Sequence, residues 1–93
     1  MVSQVRASHI LVGSKNDATK ILNRIRAGAR FEDLAKKHSQ CPSGKRGGDL
    51  GYFGKGQMVK PFEDVAFTLN KGDISEPVQT QFGFHLIKVT DKK

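Results

Sequence analysis

The sequence predicts an α+β domain built on a small, largely antiparallel four-stranded sheet. Three patterns point to it. Alternating apolar segments stand near both ends of the chain, two helix-like segments follow the first of them, and a glycine-rich stretch leads into a further apolar helix. The predicted order is β-α-α-loop-β-α-β-β. A chain of 93 residues has room for one core, since two would each be too small to stand alone. Residues 1–93 are therefore read as one domain.

The first strand is expected over Val5 to Val12, "VRASHILV", with Val5, Ala7, His9 and Leu11 on one face. "GSKND" then turns the chain, with Asn16 or Asp17 as the helix cap. Ala18, Ile21, Leu22 and Ile25 follow at helical spacing, and Gly28 sits where a helix commonly ends. A second helix starts at Phe31 and turns Phe31, Leu34 and Ala35 inward. Pro42 and the glycines after it break that helix. Leu50 to Phe53 reads as a short strand inside "GGDLGYFGKG", where glycine fills five of ten positions. Pro61 suits the first helical position, and Phe62, Val65, Ala66 and Leu69 form an apolar stripe behind it. "ISEPVQT" is expected as a short strand with Pro77 at a sheet edge. "FGFHLIKVT" closes the sheet with His85, Ile87 and Val89 on one face.

A net charge of +7 favours acidic partners at encounter range, whether nucleic acid, anionic lipid or acidic protein, although a solvated basic face has the same composition. The single cysteine, Cys41, excludes an internal disulfide and a cysteine-rich zinc site. His9 and His85 would need a third ligand to hold a metal, and no H-x-x-H spacing exists. No metal or cofactor is expected. No apolar run approaches the ~20 residues that cross a bilayer, and "MVSQVRASH" lacks the apolar core of a signal peptide. The expected location is the cytoplasm, unless the chain is cut from a longer exported protein.

Several residues carry two readings. Cys41, close to Lys45 and Arg46, is either a reactive thiol or a small buried apolar group. His9 and His85, set among apolar strand residues, are hydrogen-bonded core groups or part of a site. Leu50, Tyr52, Phe53, Met58 and Phe62 wall an apolar pocket or fill the core. Neither G-x-x-x-x-G-K-[ST] nor G-x-G-x-x-G occurs, so the glycines do not read as a phosphate cradle.

"ASHILV", "LAKKHSQCPSGKRGGDLGYFGKGQMVKPFEDVAF" and "GDISEPVQTQFGFHLIKV", in that order, resemble the parvulin family of peptidyl-prolyl cis/trans isomerases. The likeness runs from about Arg6 to Val89 and is greatest to the small single-domain forms of bacteria and archaea. It implies about four helices in the order β-α3-β-α-β2. It also implies that Leu50, Met58 and Phe62 hold a proline ring, with Phe82 at the rim. Cys41 would lie beside the rotating carbonyl, with His9 and His85 beneath it and Thr80 in their hydrogen-bond network. Relatives carry Asp at the position of Cys41, which favours a noncovalent twisted-amide mechanism. The implied partners are proline-containing peptides and unfolded proteins, met by a monomer with no obligate nucleic acid and no metal or cofactor, while the basic surface leaves room for acidic partners.

The segment "VGSKNDA" has one lysine and no arginine, so no preference for phosphoserine before proline is expected. A rival reading is a module that binds proline segments or polyanions and isomerises only incidentally. The aromatic strand signature of RNA-binding modules is absent. A Cys/His hydrolase would require acyl trapping at Cys41 and is not expected.

Overall fold

The central strands β1 (Gln4–Val12) and β4 (Gly83–Lys92) carry apolar side chains on both faces, and helices cover each face. The computed structural model describes residues 2–93. Between these strands the order is α1 (Lys15–Arg26), α2 (Phe31–His38), a 3₁₀ helix (Pro42–Arg46), β2 (Asp49–Gly54), α3 (Lys60–Thr68) and β3 (Val78–Thr80). The sheet runs β2-β1-β4-β3 and every neighbouring pair is antiparallel. This is the α+β fold expected.

Side chains alternate across a strand, so β1 and β4 divide their apolar residues between two cores. Ile10, Val12 and Leu86 pack under α1 and α2 with Ala18, Ile21, Leu22, Phe31 and Leu34. Val5, Ala7, Ile87 and Val89 pack on the other side with Phe53 and with Phe62 and Ala66 of α3. His9 and His85 share this second face, each two residues along its strand from a member of that core.

Four local expectations change. Ser14, not Asn16 or Asp17, caps α1, because its Oγ accepts from the Asp17 N–H at 3.1 Å while its own backbone is extended. Of the four expected helices three are α; the remaining helical turn, Pro42–Arg46, is 3₁₀, held between Pro42 at its start and left-handed Gly47 at its end. Pro61 is the second residue of α3, after Lys60. "ISEPVQT" is strand only over Val78–Thr80, because Pro77 has no N–H for the ladder; Ile74 makes an isolated bridge to Lys88.

Gly48 presses the chain directly against β1. Its carbonyl accepts from the His9 N–H at 2.9 Å, and its φ is +90°. A Cβ there would stand 2.4 Å from the His9 carbonyl oxygen. Only glycine fits a left-handed residue pressed this tightly against a strand.

Candidate active site

β1 supplies His9 and Leu11, β4 supplies His85, and their register sets Leu11 opposite His85 and His9 opposite Ile87. The two imidazoles are therefore diagonal neighbours on one face. Their Nδ1 atoms lie 2.9 Å apart, and the rings stack at 5.1 Å between centroids with 19° between planes. His85 Nε2 is 2.7 Å from Thr80 Oγ1, which also accepts from the Phe82 N–H at 3.1 Å. One hydrogen-bonded line thus joins the β3–β4 turn to β1.

Phe62 roofs this pair. Its ring meets His9 at 5.6 Å and His85 at 5.4 Å, nearly perpendicular to both. α3 holds Phe62 in place by burying it against Phe53, 5.9 Å away. The β2–α3 loop brings Met58 alongside; the Gly54 N–H at the end of β2 donates to Gln57 Oε1 of this loop at 2.7 Å. Leu50 enters from β2 at a bulge. Arg6 pairs with Tyr52 and Ser8 with Asp49, so Leu50 and Gly51 together face Ala7.

Cys41 is tied to the end of β1. The Leu11 N–H donates to Ser39 Oγ at 3.1 Å, the Gln40 N–H to the Leu11 carbonyl at 2.7 Å, and the Cys41 N–H to Ser39 Oγ at 3.4 Å. Its thiol accepts from the Ser43 hydroxyl at 3.2 Å. Neither histidine bonds to it: three of the four imidazole nitrogens are hydrogen-bonded within the His9–His85–Thr80 line, the fourth, His9 Nε2, is buried without a partner, and none serves as a base for the sulfur.

These residues surround a groove of about 510 Å³. His9, Cys41, Leu50, Met58, Phe62, Phe82 and His85 line it, while Thr80 stands behind His85. Phe82 is 60% exposed and forms the open rim. Leu11, Gln40, Pro42, Gln57 and Val59 line it too, and sequence reasoning did not single them out. Leu11 was signalled by its place two residues after His9 on the same strand face. Tyr52 and Phe53 lie outside the lining. No Asp, Glu, Lys or Arg side chain is among the residues that line the groove.

Burial pushes the His9 imidazole down to about 4, with the neighbouring His85 adding to the effect. Burial alone lowers His85. Both rings are therefore neutral at pH 7, and the groove floor carries no charge. Because the folded values lie below the ordinary 6.5, the unfolded chain takes up protons first as pH falls. The stability from this pair is intact above about pH 6.5 and is expected to fall toward pH 4, by about 1.4 kcal/mol per pH unit for each histidine titrating only when unfolded. Asp49 and Asp91, whose hydrogen bonds from Arg6 and Tyr52 lower them, lose their contribution only further into acid. Urea melts between pH 4 and 7.5 check this, and a midpoint flat from pH 7 to 5 would contradict a buried neutral pair.

The rotamase family profile, described as the PPIC-type PPIase domain, matches residues 9–91. Foldase protein PrsA 1 of Bacillus cereus is 52% identical over 97% of the chain, which spans about a third of that relative, 32% of its length. The crystal structure of the PrsA peptidylprolyl isomerase of Bacillus anthracis superposes with a TM-score of 0.97 at 48% identity, over 99% of this chain and 43% of that one. The parvulin NmPin of Nitrosopumilus maritimus is 46% identical with a TM-score of 0.86, and the match covers 96% of this chain and 97% of NmPin.

Proposed function

The chain belongs to the PPIC-type peptidyl-prolyl isomerases, the parvulins, and from that premise we propose that its groove rotates X–Pro bonds in unfolded or flexible polypeptide by a noncovalent route. Leu50, Met58 and Phe62 take the proline ring, and Cys41 stands beside the carbonyl that precedes it. The observation that carries this reading is an uncharged, largely apolar groove floored by a buried pair of neutral imidazoles.

The barrier to be lowered, ~18–20 kcal/mol, arises from resonance that puts partial double-bond character in C–N. That resonance also separates charge, so water stabilises the planar amide more than the twisted one. Moving the bond into an apolar groove removes some of this ground-state advantage. Holding the ring while the carbonyl swings past Cys41 then favours the twisted form. No bond to sulfur is needed, and the arrangement supports none: Cys41 accepts from Ser43 and has no imidazole base. The chain acts as a monomer in this reading, since one chain supplies every residue that lines the groove.

Phe82 and Met58 make the groove favour an apolar residue before proline. The test is turnover of Ala-Leu-Pro-Phe and Ala-phosphoSer-Pro-Phe peptides by the protein and by its Cys41→Asp variant. The leucine peptide is expected to be isomerised faster by both. An advantage for the phosphopeptide would overturn the specificity, and loss of all activity in a folded Cys41→Asp would overturn the noncovalent route.

A further inference from the structure

The chain's charge is concentrated in one layer. Residues 15–46, which comprise α1, α2 and the 3₁₀ helix, hold nine Lys or Arg against three Asp or Glu, a net +6 of the total +7. Of those nine cations only Arg26 lies within 4 Å of a carboxylate among the described residues, at 2.7 Å from Glu76. The rest are free to meet an outside anion.

Two cavities in this layer adjoin the groove. One, of about 400 Å³, is lined by Lys20, Arg24 and His38 and shares Gln40 with the groove. The other, of about 350 Å³, is lined by Lys36 and Lys45 and shares Gln40, Cys41 and Pro42 with it. Asp17 offsets part of the charge in the first cavity, whereas the second holds no acidic side chain. The groove is thus uncharged inside and basic along its Gln40–Pro42 side.

We infer that this basic shoulder docks acidic residues of the client chain, so that the protein selects segments in which Glu or Asp lie a few positions from an apolar residue–proline pair. The inference rests on the isomerase reading of the groove and names a substrate class for it. An extended client advances about 3.3 Å per residue, so a chain leaving the groove over Gln40 or Pro42 brings successive side chains onto the shoulder. Charge of this kind speeds encounter and tightens binding in low salt. A polypeptide fits better than single-stranded nucleic acid because the layer exposes no Phe, Tyr or Trp ring for bases to stack on; its one such residue, Phe31, is buried.

The experiment compares Leu-Pro-Phe peptides carrying four Glu or four Gln on either side of the core. Exchange spectroscopy reads turnover, and fluorescence anisotropy reads binding independently of turnover. The Glu peptides are expected to show a kcat/KM about threefold or more above the Gln peptides in low salt. The gain should appear in KM, shrink as salt rises, and fall toward one in Lys36→Glu/Lys45→Glu and less so in Lys20→Glu/Arg24→Glu. An equal charge change at Lys55→Glu/Lys71→Glu should leave the ratio high. Equal turnover of Glu and Gln peptides, or a ratio unaffected by the shoulder reversals, would overturn the inference with the isomerase reading intact. Tighter binding of a dT20 oligonucleotide than of the Glu peptide through the same lysines would assign the shoulder to nucleic acid instead. If no peptide is isomerised, the isomerase reading fails, and the anisotropy ratio still decides whether the shoulder binds acidic chains.

Discussion

Met58→Ala is expected to lower kcat/KM by about tenfold or more, a loss of roughly 1.4 kcal/mol in transition-state binding. Met58 is half-buried and lines the groove, so its truncation removes a wall of the proline site while leaving the inner core in place. Phe62→Ala should fall at least as far, for two reasons. Phe62 walls the same groove and covers both imidazoles. It is also 2% exposed, and deleting a buried Phe side chain costs about 3–5 kcal/mol, a large part of the ~5–15 kcal/mol that holds a small domain folded. Phe62→Leu separates the two effects by keeping most of the volume and losing the flat ring. Denaturant midpoints measured beside the kinetics distinguish lost binding from lost folding. Full activity in Met58→Ala and Phe62→Leu alike would move the proline site elsewhere.

Gly48→Ala is expected to give the largest loss of stability among the glycine loop positions. A left-handed conformation costs an ordinary residue about 1–2 kcal/mol, and here the new Cβ would also meet the His9 carbonyl at 2.4 Å. Relief requires β1 to shift at the residue that carries a site imidazole. A fall in Tm of about 10 °C or more is expected, on a scale of roughly 4–8 °C per kcal/mol for a domain of this size. Gly56→Ala is the control. Gly56 has a φ of +88°, yet nothing lies within 4 Å of its added Cβ, so only the backbone cost applies. If the two variants melted together, the close approach of Gly48 to β1 would be wrong.

The parts of the fold legible in the sequence are those written as periodic burial. Val5, Ala7 and His9 alternate with Ile10 and Val12 closely enough to identify β1, and Ala18, Ile21 and Leu22 mark the inner side of α1. Local hydrogen-bond choices were less visible. Ser14, Asn16 and Asp17 are all good caps, and only the path of the backbone makes Ser14 the one that accepts. The edge strand was overextended because apolar Ile74 and Val78 flank Pro77, and composition does not reveal which residues have a ladder partner.

The site divides in the same way. His9 and His85 lie 76 residues apart, so their pairing is a product of strand order and register that no spacing rule contains. Family resemblance named them, along with Cys41, Thr80 and the apolar trio. Gln40, Gln57 and Val59 escaped notice because they reach the groove through loop geometry, not through a pattern. The basic bias of residues 15–46 can be counted in the sequence, but its place beside the groove cannot, because the cavities that hold Lys20, Arg24, Lys36 and Lys45 meet the groove only in the fold.

Exchange spectroscopy of an Ala-Leu-Pro-Phe peptide with a catalytic amount of the protein tests the central claim most directly. Unaided, cis and trans forms of such a bond interchange in about tens to hundreds of seconds. The expected result is exchange cross-peaks between the two proline forms within a sub-second mixing time, markedly weaker when Met58 is replaced by alanine. Cross-peaks no stronger with the protein than without it, in a sample that binds the peptide, would contradict the assignment and leave the groove a binding site alone.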